Sequence, residues 1–380
     1  MIAYHLNNLF LLGSQILVFF MKGGFACLEA GSCRVSSAVA VIFKNYFVMA
    51  IAVVCWLLGR FALAFPEGAP DAVARLNFLG FQAMFAATAA TICSGMAAER
   101  IRLVAFCIFS AVFAAAVYPF IVRLTWGGGW LGQQGYVDFA GSGVVHMAGA
   151  FVGLPLIVML GSRLRRFGDN AHAFVPHCLK FVALGTTVLW LGWFGFNVGS
   201  NVVADGDAMA AIAMSTMAAP CAGFLVAALL TACFTRRVEF SLCLNGALGG
   251  LVSITAGCDA IGPQAALMAG AIGGAIVCAG AYLLELLEVD DVVCAFPVHG
   301  FCGVWGVLAP CVFAGAAWEP QLIGIAVIGA IALGYGVVMS LALDCTIGLR
   351  VSAEDEEKGL DRSDFGVSAC NPVALAEREN

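Results

Sequence analysis

Charge is what this chain has least of. Its 380 residues include 18 Lys plus Arg and 24 Asp plus Glu, 11% in all, against 62% hydrophobic residues. Soluble domains carry roughly a quarter charged residues, so a large water-soluble core is excluded and a polytopic membrane protein is expected. The few basic residues form no basic and aromatic face, which excludes nucleic acid as a partner. The 16 cysteines stand singly in apolar segments, as at Cys55, Cys107, Cys278 and Cys311, with no CxxC and no Cys/His ligand spacing. That pattern supports neither a zinc site nor a disulfide framework; it fits small buried thiols. No metal and no other cofactor is expected. No nucleophile–base arrangement points to an enzyme. The opening MIAYHLNNLF has no basic n-region and no small-residue cleavage site, so the first span is expected to be its own insertion signal.

What the chain has in quantity is apolar runs. At roughly 20 residues per crossing, they divide into eleven spans, at 7–29, 37–65, 78–98, 101–122, 143–161, 180–201, 207–234, 241–257, 263–287, 295–315 and 321–348. The eighth is short and glycine-rich. Basic residues fall in alternate loops: Arg34; Arg100 and Arg102; Arg163, Arg165, Arg166 and Lys180; Arg236 and Arg237; and the tail from Arg350. The other loops hold only Arg75 and Arg123. The positive-inside rule puts the basic set in the cytoplasm, with the N-terminus outside and the C-terminus cytoplasmic. The expected layout is an all-α transmembrane domain over 1–350 and a soluble, acidic tail over 351–380. Lys44, inside the second span, could snorkel to the cytoplasmic interface, but a structural role as a polar contact between helices is expected.

Only five histidines are present, and two lie in apolar spans. VHMAGAFVGL, from Val145, aligns with VHGFCGVWGVL, from Val298. In both, Val-His leads; glycines follow at three or four residues (Gly149, Gly303) and at seven (Gly153, Gly306). Those offsets share one helix face, and small residues there allow close helix crossing in membranes. The copies fall in the fifth and tenth spans. Five is odd, so equivalent helices run in opposite directions, as in a five-plus-five inverted repeat with an extra C-terminal helix. Transporters of that kind hold their site at the repeat interface near the midplane. An ionisable group at that depth is costly and marks function, so His146 and His299 are expected to face each other there. Two other readings stand beside this one: each histidine satisfied by a backbone carbonyl, or the pair as axial ligands of a haem.

The segments FACLEAGSCR (Phe25–Arg34), FQAMFAATAATICSGMAAERIR (Phe81–Arg102), WGGGW (Trp126–Trp130), DFAGSGVVH (Asp138–His146), WLGWFGFNVGS (Trp190–Ser200), VDD…FPVHGFCGVWG (Val289–Gly306) and IGLRV (Ile347–Val351) together resemble the ammonium transporters, the Amt/Mep branch of the Amt/Rh superfamily. The likeness runs from about Gly23 to Gly366. It implies eleven helices in an inverted repeat, a homotrimer in the plasma membrane with one pore per subunit, and ammonium or ammonia as substrate, with methylammonium as analogue. It also implies lipid contact and a PII-type regulator at the cytoplasmic face. The outer ammonium site of the family matches Trp126, Phe85 and Ser200, although a tryptophan there also suits an interfacial belt. The phenylalanine gate matches Phe85 and Phe196, with Phe81 one turn away in the vestibule; lipid or core packing is the ordinary role of such rings. Asp138 matches a capping, site-shaping acid.

A bare cation in an apolar pore costs many kcal/mol, whereas neutral ammonia costs far less. Two imidazoles bonded Nδ1 to Nδ1 leave both Nε2 atoms to the lumen and can relay a proton separately from ammonia. Departures from the family pattern are Cys294, where an acid is usual, and Phe365, Val367 and Cys370 in a tail that keeps Gly359–Asp361 and Gly366. An ammonium sensor on the same scaffold and a Rhesus-type gas channel are the alternative functions; Trp126 and Ser200 favour the Amt/Mep branch.

Overall fold

A backbone in hydrocarbon must satisfy its own hydrogen bonds, which leaves helices or a closed barrel. Helices form throughout. The computed structural model describes residues 1–169, 171–172 and 174–369, and among these the only extended pairing is an isolated bridge between Ile101 and Arg350. In chain order the spans are α1 (Ile2–Ser32), α2 (Val35–Ala64), α3 (Arg75–Met96), α4 (Leu103–Leu124), α5 (Ser142–Leu160), α6 (Leu179–Gly199), α7 (Gly206–Thr235), α8 (Phe240–Thr255), α9 (Pro263–Leu286), α10 (Phe296–Phe313) and α11 (Trp318–Thr346).

Ten of these are long and apolar enough to cross a membrane; α8 is the exception. With 16 residues it is about 24 Å long, short of the ~30 Å hydrocarbon core. Every residue from Cys243 to Thr255 is buried. The helix is enclosed by α7, α9 and α10, so protein rather than lipid covers it. The expected eighth span therefore exists as a helix, but it is not a crossing by length alone.

α1 packs along α6, and α7 packs against α8 and α9. The α1–α6 contact is close because it is made by glycines. A Cβ on Gly185 would stand 2.6 Å from the Gly24 carbonyl oxygen, so a side chain there would push the helices apart. α5 and α10 meet in the interior, with α3, α8, α9 and α11 around them.

The loops that carry Arg34, Arg100, Arg163 and Arg350 gather at one end of the bundle around a buried ion cluster. Arg163 grips Asp290 with two parallel bonds (Nε to Oδ2 2.8 Å, Nη2 to Oδ1 2.9 Å) and reaches Glu99 with its third nitrogen at 2.7 Å. Arg34 bonds Glu99 from the other side. The tail, as the short helices α12 (Ala353–Lys358) and α13 (Leu360–Phe365), folds back on this end. Glu356 accepts from Leu164 N (2.7 Å) and Arg350 (2.8 Å), and Asp361 accepts from Ala40 N (2.9 Å). Phe365 packs on Phe43 at 5.1 Å between ring centroids. Cys370 lies outside the described residues.

Burial by itself would raise the Asp290 carboxyl, but the hydrogen bonds and charge of Arg163, with Arg100 behind, hold it down to about 2. A carboxyl that binds its proton more weakly in the folded state stabilises fully above its unfolded value. That contribution fades as pH falls from about 4 to about 2. For Asp290 it is on the order of 2 to 3 kcal/mol. In detergent, the melting-temperature gap between the wild type and D290N is expected to be several degrees at neutral pH and to close over that window. A gap that persists unchanged to pH 2 would show that the cluster contributes nothing through this charge.

Candidate functional site

The two histidine helices are broken where the histidines sit. α5 opens with a six-residue π-helical turn, Ser142–Met147, and α10 with another, Phe296–Phe301. Such wide turns shift side chains off the regular register and are frequent at functional sites. Each break is capped by an acid. Asp138 accepts from the amides of Gly141 (2.9 Å), Gly143 (2.9 Å) and Val144 (2.8 Å). Asp291 accepts from the amide of Phe296 (2.6 Å). The register is the same in both copies: 146 − 138 and 299 − 291 are each eight residues. Gly141, at φ +111°, supplies the left-handed turn that folds the chain back over Asp138. Burial raises the Asp138 carboxyl to about 6, against these amide bonds, which pull it down. Tyr136, also buried, reaches its Oδ2 at 3.4 Å.

With both helices started in this way, His146 and His299 meet Nδ1 to Nδ1 at 3.2 Å, rings nearly parallel with centroids 5.1 Å apart. Both are buried. One Nδ1 must donate and the other accept, so the two Nε2 atoms differ: one carries a proton and one a lone pair. His146 Nε2 is buried without a hydrogen-bond partner. Among the described residues no backbone carbonyl satisfies either histidine, and the Nδ1 atoms are too close for a metal-centred macrocycle to stand between them. The stack continues to Trp193, flat on His146 at 4.9 Å, its Nε1 donating to Thr255 Oγ1 at 2.9 Å.

The glycines do part of what their spacing suggests. Gly303 and Gly306 lie against the start of α5, where added Cβ atoms would stand 2.8 Å from Met147 N and 2.5 Å from Ser142 Oγ. Gly149 and Gly153 instead face Ala89 and Met96 of α3. The two histidine helices thus touch through the glycines of only one copy, because the other set accommodates the neighbouring helix.

On the side away from the basic loops, Phe196 stands 5.5 Å from His146 and stacks on Phe85 at 4.0 Å with only 13° between the planes. Beyond them opens a vestibule of about 160 Å³ lined by Phe81, Gln82, Phe85, Trp126, Phe139 and Ser200, among others. Phe81 lies 4.7 Å from Phe85, and Trp126 meets Phe85 edge-on at 5.9 Å. The indole is fixed by its Nε1 donating to the Asp138 carbonyl at 2.6 Å. Ser200 donates its hydroxyl proton to Phe196 O at 2.9 Å, which leaves its oxygen free to accept. Asp138 is spent on the amides behind this wall.

On the basic side, His299 borders a small cavity of about 20 Å³, shared with Phe25, Glu29, Ile92, Asn245 and Val293. That suffices for one water-sized molecule. Asn245 and Val293 also line a wider pocket of about 190 Å³ with Asp291, Arg166 and Glu285. Vestibule, phenylalanine pair, histidine pair, small cavity and wide pocket follow one another through the bundle.

Every residue singled out from sequence borders this line: Trp126, Phe85, Ser200, Phe81, Phe196, His146 and His299 directly, Asp138 from behind. Others were missed. Gln82 lines the vestibule with Oε1 buried and unpartnered; its place inside FQAMF was the available signal. Asp291 was visible as an acid in the same register as Asp138. Lys22 is buried in α1, its Nζ donating to Thr88 Oγ1 at 2.7 Å and 5.5 Å over the Phe25 ring. Nothing in MKGGF distinguished it from an interfacial lysine. Lys44 does not snorkel: its buried Nζ donates to Ser94 O at 3.1 Å, 5.0 Å over Phe106.

The sequence matches the Ammonium Transporter Family over residues 9–370. Ammonium transporter Amt2 of Archaeoglobus fulgidus is 36% identical over 410 residues, covering 96% of this chain and 88% of the relative. The ammonium transporter of Bacillus subtilis is 31% identical, covering 96% and 98%. Among solved structures, a protein described as a sensor Amt protein superposes with a TM-score of 0.92 at 28% identity, covering 96% of this chain and 99% of that one. Candida albicans Mep2 superposes with a TM-score of 0.85 at 25% identity, covering 92% and 87%.

Proposed function

Since the chain belongs to the ammonium transporter family, we propose that its pore recruits ammonium in the vestibule, removes a proton there and passes ammonia along the histidine pair. The observation that carries this reading is the Nδ1–Nδ1 contact of two buried imidazoles, in line beneath a closed pair of phenylalanines.

Ammonium is the size of potassium, so selectivity must use what potassium lacks, N–H donors and a removable proton. The Trp126 face and the Phe85 ring attract the cation, and Ser200 Oγ and Gln82 Oε1 are placed to accept N–H bonds. The stacked Phe85 and Phe196 resist a hydrated ion, while a small neutral molecule needs only brief ring motion. Below them the lone-pair Nε2 can accept from ammonia and the protonated Nε2 can donate to it. The vestibule faces the outside, the basic loops and tail the cytoplasm, and the 1–350 domain assembles as a homotrimer in the plasma membrane. A PII-type protein acts at the cytoplasmic face.

A cation over tryptophan gains about 0.5 to 2 kcal/mol. W126L is therefore expected to raise the half-saturating ammonium concentration about 2- to 30-fold while leaving the maximal rate less affected. Unchanged half-saturation in a methylammonium competition assay would remove Trp126 from the site.

A sensor with little flux is the second reading, favoured by the superposition on a sensor Amt protein. Expression in a yeast strain without its own ammonium transporters separates the two. Growth on limiting ammonium supports transport, and absence of growth with correctly inserted protein supports sensing.

A further inference from the structure

α1 carries an acid that the transport steps above leave unused. Glu29 is 1% exposed, yet it borders the small cavity that His299 also lines. Its Oε2 accepts from Asn45 Nδ2 at 2.9 Å and from Ser94 Oγ at 2.9 Å. Among the described residues no hydrogen bond reaches Oε1. Gly95 makes room for the group: a Cβ there would lie 3.1 Å from the Glu29 Cγ and Cδ. The charged groups around it are Lys44 from α2, bonded to the backbone of the same Ser94, and Lys22, seven residues earlier on α1. His299 is the other titratable group lining the cavity. A carboxyl at this depth is expensive unless it is paired or used, and among the described residues no ion pair within 4 Å holds it.

We propose that Glu29 is the proton station on the cytoplasmic side of the histidine pair, returning to ammonia the proton that ammonium gave up in the vestibule. The inference rests on the reading that ammonia, not ammonium, passes the histidines. The steps balance as follows. Ammonium in the vestibule becomes ammonia plus a proton. The proton crosses the His146–His299 pair by entering at one imidazole nitrogen as another leaves on the far side, and a single water or ammonia in the 20 Å³ cavity hands it to the Glu29 carboxylate. The carboxylic acid then protonates the ammonia that has followed, so that ammonium leaves by the Asn245 opening and Glu29 is again a carboxylate. Asn45 and Ser94 stabilise the ionised form through Oε2, and the free Oε1 is the atom that exchanges. Each ammonia is then accompanied by one positive charge.

The test uses full-length protein in liposomes of neutral phospholipid. Radiolabelled methylammonium uptake and the transient current after an ammonium chloride jump are measured together, with potassium chloride as control. E29Q keeps an acceptor for Asn45 and Ser94 but cannot carry a proton. Its current is expected to fall at least tenfold relative to the wild type. E29D keeps an acid and moves it, and is expected to lose at least threefold while remaining above E29Q. If E29Q does not assemble, E29D decides: a current of wild-type size overturns the proposal. So does a wild-type current in assembled E29Q, or wild-type uptake without any current. Absence of uptake by the wild type overturns instead the transport reading on which this proposal rests.

Discussion

Liposomes containing the double variant H146L/H299L are expected to show an ammonium-to-potassium signal ratio at least tenfold below that of the wild type. Two leucines fill nearly the space of two imidazoles, and removing both partners of a buried hydrogen bond is far milder than removing one, so the protein should still fold. A single change would leave the other Nδ1 unpaired and would mix stability with function. The double change removes the donor–acceptor pair of Nε2 atoms that greets ammonia below the phenylalanines, together with the proton path between the rings. Below the vestibule the pore then retains only size as a criterion, by which ammonium and potassium are alike. A tenfold loss corresponds to about 1.4 kcal/mol of discrimination, which is the low end for two hydrogen-bonding groups in an apolar lumen. A ratio indistinguishable from the wild type, in protein shown to be folded, would end the case for the histidine pair as the selective element.

The second large effect is expected at a residue that touches no substrate. Asp138 holds three amides at the start of α5. D138A leaves Gly141, Gly143 and Val144 with buried N–H groups and no acceptor, at about 1 to 3 kcal/mol each. The π-helical turn that carries His146 loses its reason to form, and the Trp126 indole loses the fixed carbonyl it donates to. D138A should lower the detergent melting temperature by several degrees and abolish uptake. D138N, which keeps one acceptor oxygen, should fall between it and the wild type. If D138A melts with the wild type and transports normally, the cap is not what shapes this helix.

How much of this was legible in advance differs from residue to residue. His146 and His299 were legible because two Val-His copies five spans apart leave an inverted repeat as the economical arrangement, and the helices do bring them together. Asp138 and Asp291 share an eight-residue register with those histidines. Family likeness marked Asp138 as a cap, and the amide bond of Phe296 shows Asp291 to be its counterpart. Phe85 and Phe196 were legible only through family likeness, since a phenylalanine in a membrane helix carries no mark of its neighbour. Lys22 and Glu29 were written plainly in the first span. Spacing along one helix cannot say whether a charge meets lipid, a loop or a cavity. The eleven-span count was legible from hydropathy except at α8, whose shortness is tolerated because other helices enclose it.

What the sequence determined by itself is the class of environment: too little charge for water, runs long enough for a bilayer, basic loops on one side, and two equivalent histidines in antiparallel helices. These are properties of composition and periodicity, which act residue by residue and survive without a fold. The tertiary structure decided which groups share a space. It stacked Phe85 on Phe196, turned two imidazoles Nδ1 to Nδ1, spent Asp138 on backbone amides rather than on the vestibule, and brought Glu29 to the same one-molecule cavity as His299. Those outcomes depend on helix crossings set by glycine contacts and on two helix breaks, and a contact between distant segments has no signature in either segment alone.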